Sequence, residues 1–169
     1  MKLENITHDD LPLYESLHSD PAMMKHLGGA WPKERMPQKL RQNLELIEAG
    51  TAWVLKIIPD DDSGQAAGSV CIWENSERGE TFNEMGWMIL PAYQGRGLGS
   101  KAVRAVLDKA RAEGRWKVIH AYPATTNAAS NAICRKMGFS LVEECDLKWE
   151  GRILHCNHWR IDLHSDSPA

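Results

Sequence analysis

The chain has 169 residues, 43% hydrophobic and 25% charged, a length and balance that suit one domain burying its own core without disulfides or metal. A net charge of −3 and a pI near 6.2 give no basic field for nucleic acid or anionic lipid, so neither is expected as a partner. Met1 to Ile6 lacks the apolar run of a secretory signal, no segment approaches the ~18 apolar residues of a membrane span, and Cys71, Cys134, Cys145 and Cys156 show no CxxC pairing, which predicts reduced thiols and a cytoplasmic protein.

In chain order, Lys2 to Ile6 reads as a short strand. A helix follows from Asp9 or Asp10 to about His18, with Leu11, Tyr14, Leu17 and His18 near helical spacing. Ser19 to Pro37, broken by Pro21, Gly28, Gly29, Pro32 and Pro37, must hold turns or short helical pieces. Gln38 to Ala49 is a helix with Leu40, Leu44 and Ile47 on one face and Gly50 as its stop. Thr51 to Ile58 and Gln65 to Trp73 read as strands around the polar turn Pro59 to Gly64. A second turn at Asn75 to Gly79 leads into a strand from Glu80 to Leu90, ended by Pro91.

A long helix from Gly97 to Glu113 carries the stripe Val103, Val106, Leu107 and Ala110, with Gly114 as its cap. Trp116 to Tyr122 is a strand, Ala128 to Met137 a helix, and the remainder two strands turning near Glu150-Gly151. The order predicts an α/β domain over residues 1–164, with a mixed central sheet of about seven strands and helices on both faces. Residues 165–169 are expected to be a frayed tail.

The most informative stretch is Gln94-Gly95-Arg96-Gly97-Leu98-Gly99, between a strand and the long helix. Alternating glycines let the backbone bend tightly and approach a ligand, and the amides opening onto a helix N-terminus suit a phosphate or diphosphate. Arg96 and Lys101 can add charge. A P-loop would need GxxxxGK[ST], which is absent. A dinucleotide fingerprint would need GxGxxG, but Ser100 or Ala102 stands in its third place, and the next strand ends in Tyr122-Pro123 rather than an acidic residue. A nucleotide-binding module is disfavoured on both counts.

Gln94 to Gly99 also matches Q-x-x-G-x-G, and Asn127-Ala128-Ala129-Ser130 and Lys136-Met137-Gly138-Phe139 follow downstream. These motifs resemble those of the GNAT superfamily of acetyl-CoA-dependent N-acetyltransferases. Glu84-Met85-Gly86-Trp87 and Leu90-Pro91-Ala92-Tyr93-Gln94-Gly95 resemble its branch of ribosomal-protein N-terminal acetyltransferases and related resistance enzymes. The resemblance implies a cytoplasmic acyltransferase that moves acetyl from acetyl-CoA, its co-substrate, directly to a primary amine, without a metal. A peptide N-terminus and a small amine such as an antibiotic are both acceptable acceptors, and monomer and homodimer both stay open.

Carried over by position, the backbone of Met88, Ile89 and Leu90 would bind the pantetheine arm. The loop Gln94, Gly95, Arg96, Gly97, Leu98, Gly99 and Ser100 would hold the diphosphate. Asn127 would bond the pantetheine amides, and Ser130 would touch the cofactor or relay a proton. Helical spacing independently stacks Asn127, Ser130 and Cys134 at i, i+3 and i+7 in a polar stripe, beside an apolar stripe of Ala129, Ile133 and Met137 that would dock the helix. Asn127 serves equally well as a helix cap.

Deprotonation of the acceptor needs a base, for which Glu84 is the candidate. On its strand it shares a face with Phe82, Gly86 and Met88, an apolar setting able to raise a carboxylate's pKa, although a solvated strand-edge glutamate would read the same way. The family's common tyrosine acid is replaced here by Cys134, and a glutamate carried by some members is Tyr122, so Tyr122, Ser130, Cys134 and solvent all remain candidate donors. That departure leaves a non-catalytic acyl-CoA sensor as the alternative. Acceptor recognition is expected from Ser19 to Pro37, including Met23, Met24, His26 and Trp31, and from Trp149 to Trp159. His155 and His158 point to opposite faces of their strand, which argues against a shared metal.

Overall fold

The computed structural model describes residues 1–61, 64–77 and 80–164. The strands are β1 Lys2–Asn5, β2 Ala52–Ile58, β3 Gly68–Glu77, β4 Glu80–Ile89, β5 Val118–Ala121, β6 Ser140–Trp149 and β7 Arg152–Asp162. The helices are α1 Leu11–His18, α2 Pro21–Met24, α3 Met36–Glu48, α4 Leu98–Glu113 and α5 Ala128–Lys136. The sheet order is β1-β2-β3-β4-β5-β7-β6, antiparallel except where β4 meets β5. A seven-stranded mixed sheet with helices on both faces is thus the architecture.

Strand alternation sorts the core into two layers. Leu55, Ile57, Val70, Ile72 and Met85 pack against α4 through Val103, Val106, Leu107 and Ala110. On the other face Ala52 and Val54, with the half-buried Cys71 and Trp73, meet Tyr14 of α1 and Met36 and Leu40 of α3. Each large side chain so buried contributes about 1.5–3 kcal/mol, so the apolar stripes decide which face each helix covers.

The differences from expectation are local. Pro37 does not break the chain; it lies in the first turn of α3, where a missing N–H costs nothing. A 3-10 turn at His8–Asp10, closed by a capping box between Thr7 and Asp10, precedes α1. The strand expected to end at Trp73 runs through Asn75 to Glu77, so Asn75 is a strand residue rather than a turn residue. Asp62-Ser63 of the expected Pro59 to Gly64 turn, Arg78-Gly79 of the expected Asn75 to Gly79 turn, and the tail 165–169 lie outside the described residues. Helix α5 docks on the core through Ile133 and Met137 of the predicted stripe, but Ala129 is exposed and Asn131 and Cys134 are buried in its place.

Candidate active site

Strands β4 and β5 share a single register pair, Glu84 with His120. Beyond it β4 continues to Ile89 beside β3, while β5 ends at Ala121, so the sheet opens between them. The backbone groups of β4 alternate in direction. Met88 directs its carbonyl at Gly68, where an added Cβ would sit 2.0 Å from that oxygen, and the Leu90 N–H donates to the Ala67 carbonyl at 2.8 Å. Alternation therefore turns the backbone groups of Trp87 and Ile89 toward the opening. This corrects the expectation for Met88 and Leu90, whose backbones face β3, and adds Trp87, which position in the motif did not suggest.

The chain leaves β4 through a short 3-10 turn, Pro91–Tyr93, and Gln94 ties this turn back by donating from Nε2 to the Ile89 carbonyl at 2.9 Å. Gly95 and Gly97 both adopt φ of +74°, a left-handed conformation that side chains resist. A Cβ at either would meet nothing within 4 Å, so the loop surface stays bare. Gly97 is the N-cap of α4 and no side chain caps the helix, which leaves the amides of Leu98, Gly99 and Ser100 without intrahelical partners. Arg96 lies over the Tyr93 ring at 5.3 Å. Gly99 is glycine for another reason: a Cβ there would press Ile133 of α5 at 3.0 Å. The geometry fits an anionic group at the head of α4.

Glu84 lies at the apex of the opening, on the α1/α3 face, 8% exposed. Burial raises its carboxyl pKa to about 7, against a lowering by Asn75, whose Nδ2 donates to Oε2 at 2.9 Å. It is therefore not the solvated edge glutamate that the sequence also allowed. Asn75, displaced in expectation to a turn, was missed because asparagine signals turns more strongly than strands.

At the start of α5, Asn127 caps the helix, its Oδ1 accepting from the Ser130 N–H at 3.1 Å. Ser130 and Tyr122 are half-buried. Cys134, by contrast, is fully buried in the core, and burial pushes its thiol up to about 12. The predicted polar stripe therefore stops at Ser130, and a sealed thiol of that pKa is a poor acid at neutral pH. The residue that organises this corner is Asn131, which gives Nδ2 to the carbonyls of Ala124 at 2.9 Å and Asn127 at 2.8 Å. Its Oδ1 accepts from Asn157 at 2.7 Å and Trp159 at 2.9 Å. No sequence signal marked it beyond its i+4 spacing from Asn127.

The segment after α2 crosses the mouth on the α1/α3 side. His26 Nδ1 lies 3.2 Å from Thr126 Oγ1. Arg152, at the start of β7, donates to the carbonyls of Leu27 at 3.0 Å, Gly29 and Ala30. Trp31 is sandwiched between the guanidiniums of Arg152 at 3.8 Å and Arg35 at 3.9 Å. Trp31, Arg35, Lys39 and Glu150 line a small cavity of about 100 Å³, and Glu150 pairs with both cations. Of the predicted acceptor residues, Met24 is instead core. His155 pairs with Asp146 and Glu144 on the exposed side of β7, apart from His158. Among the described residues no group of His, Cys, Asp and Glu could hold a metal ion, and no helix is long and apolar enough to cross a membrane.

Residues 1–140 match the model of the acetyltransferase (GNAT) domain. A relative in Bacillus subtilis (strain 168), the uncharacterized protein YkkB, is 27% identical over 130 residues, 77% of this chain and 75% of that one. Among solved structures, the ribosomal L7/L12 alpha-N-protein acetyltransferase RimL in complex with coenzyme A superposes with a TM-score of 0.78 at 17% identity, covering 97% of this chain and 94% of that chain. Spermidine N-acetyltransferase from Vibrio cholerae, in complex with coenzyme A and spermine, gives 0.75 at 16% identity, covering 96% and 95%. With the split sheet, the bare glycine turn and the family match in agreement, the chain belongs to the GNAT acetyltransferase family.

Proposed function

We propose that this protein moves an acetyl group from acetyl-CoA directly to a primary amine, with Glu84 as the base. The observation that carries the reading is a protonatable carboxyl, pKa about 7, at the apex of the β4/β5 opening, on the strand that leads into the bare N-terminus of α4. The amides from Gly95 to Ser100 hold the diphosphate, and the outward backbone groups of Trp87 and Ile89 hold the amide-bearing arm. Asn127 orients the arm from the opposite wall. The bound thioester supplies the acetyl group.

Glu84 takes a proton from the acceptor ammonium. The freed lone pair forms the C–N bond as the C–S bond breaks; the departing thiolate takes a proton from Ser130 or Tyr122, and the second proton shed by the nitrogen as it becomes an amide restores that hydroxyl. Cys134 has no part in this step. Both superposed enzymes named above carry coenzyme A, which supports the cofactor assignment. The acceptor wall of Arg35, Lys39 and Arg152 carries three cations against the one carboxylate of Glu150. That balance repels a polyamine and suits a single amine on a carbonyl-rich chain, so a peptide α-amine is the favoured acceptor.

Calorimetry with acetyl-CoA, coenzyme A and ATP, followed by a thiol-release assay with a short free-N-terminus peptide and with spermidine, tests this. Micromolar acetyl-CoA binding and turnover of the peptide support it. Binding without turnover of any amine would leave a sensor, and no binding to either acyl carrier or coenzyme A would sink the proposal.

A further inference from the structure

The open face beyond Glu84 holds two histidines that the mechanism above does not use. His120 of β5 and His158 of β7 lie with Nδ1 and Nε2 2.7 Å apart, close enough that one proton is shared between the rings. Their rings stack at 5.0 Å, and Tyr122 stacks on His158 at 4.7 Å. Phe82 closes edge-on at 5.5 Å from His120. This stack forms one wall of an open groove of about 1080 Å³ along β5, β7 and β6. His120 is the register partner of Glu84, so the two side chains stand on the same face of adjacent strands.

We propose that His120 and His158 form a proton relay that drains Glu84 into the groove after each acceptor deprotonation. The proposal rests on Glu84 being the base. The protonated carboxyl gives its proton to His120 Nε2, His120 Nδ1–H passes its proton to His158 Nε2, and His158 Nδ1–H releases one to water. One proton leaves the carboxyl and one enters solvent; the rings exchange tautomers and reset by solvent exchange. A carboxyl sealed at the apex needs such an exit, because its own contact with water is slight.

The surroundings suit transfer of a proton without storage of charge. Facing the pair across the groove are Tyr122 just after β5, Arg160 from β7, and Glu143 and Cys145 from β6, with Glu84 beside His120 in the β4–β5 register. Arg115, Lys117 and Asp146 stand along the groove walls. Burial, each ring's neighbour and Arg160 lower the pKa of His120 to about 4; burial and Arg160 lower that of His158, against the pull of Glu143. Both imidazoles are therefore neutral at pH 7, the state in which each has a donor and an acceptor nitrogen.

The test compares His120→Gln, His158→Gln and His158→Gly with Glu84→Gln, using acetyl-CoA and a short free-N-terminus peptide across pH 6 to 9.5. For the histidine variants kcat should fall roughly tenfold near pH 7 with KM for the peptide unchanged. The deficit should narrow above pH 9, and imidazole buffer should restore His158→Gly. Unchanged kcat with a raised KM, or no rescue, would overturn the relay. If Glu84→Gln loses turnover while the histidine variants keep it, the relay alone fails. If Glu84→Gln keeps turnover, the base assignment falls and the relay with it. On the wild-type protein, imidazole nitrogen NMR should show coupling across one shared N–H···N bond; two rings titrating independently would overturn the proposal without any variant or acceptor.

Discussion

Asn75 Nδ2 donates to Glu84 Oε2 at 2.9 Å, and this bond favours the charged form of a carboxylate that burial otherwise disfavours. The pair sets the pH at which the proposed base becomes available. In Asn75→Ala the carboxyl pKa rises further, so the acidic limb of kcat/KM should move up by about one pH unit. A pH–rate profile that keeps its wild-type limb would show that Glu84 is not the titrating base.

Glu84 should also trade stability for function. Folded, it keeps its proton up to about pH 7; unfolded, it loses it near 4.5. The folded state therefore binds more protons between these values, and stability falls as pH rises from about 4.5 through 7 and stays reduced above. Glu84→Gln should be more stable than wild type at pH 8.5 by about 2–3 kcal/mol and similar near pH 4.5, while losing turnover. Thermal melts at the two pH values check this; a variant destabilised at pH 8.5 would contradict it.

Gly97 separates ligand contact from packing. Its φ of +74° makes Gly97→Val cost about 1–2 kcal/mol in backbone strain, yet a Cβ there strikes no protein atom. Acetyl-CoA affinity should drop at least roughly tenfold in calorimetry, because the new side chain stands where the diphosphate is expected. Gly99→Ala should weaken binding less, since its Cβ meets the flexible end of Ile133.

Asn131 holds the corner at the start of α5 by four hydrogen bonds, so Asn131→Ala leaves several buried polar groups without partners. The expected loss is about 3 kcal/mol, or roughly 6–12 °C in Tm. Asn157→Ala removes one donor to Asn131 and should cost clearly less, which a parallel melt would show.

The elements were legible wherever periodicity and punctuation agreed, as in α4 with its four-residue apolar stripe and Gly114, or the β6–β7 hairpin at Glu150-Gly151. The glycine turn was legible for the same reason: it is a local backbone demand written in consecutive residues. What stayed hidden depends on strand pairing. That Trp87 and Ile89, not Met88 and Leu90, face the opening follows from the β3–β4 register, and the Asn75–Glu84 bond from a strand running longer than its turn-like sequence suggests. The His120–His158 contact joins residues 38 apart through β5–β7 pairing. On α5 the residue that hydrophobic patterning cannot anticipate in the docking face is Asn131, a polar residue buried because four partners satisfy it.

The single register pair between β4 and β5 makes the sheet two mechanical halves. Strands β2, β3 and β4 are sequential antiparallel neighbours, and β6 and β7 form a hairpin; both sets can assemble from near contacts. The parallel seam must wait for the α4 crossover to bring distant segments together, which makes it a late step in folding. Amide exchange should accordingly be fastest along the outward backbone of Trp87 and Ile89. A ligand lying in the seam touches both halves and binds only when they are aligned, so it works as a pin through a hinge. By mass action it adds about 2.7 kcal/mol at a hundredfold excess over Kd. With the co-substrate seated at the proposed site, then, it would be a structural strut of the sheet as well as the source of the group transferred.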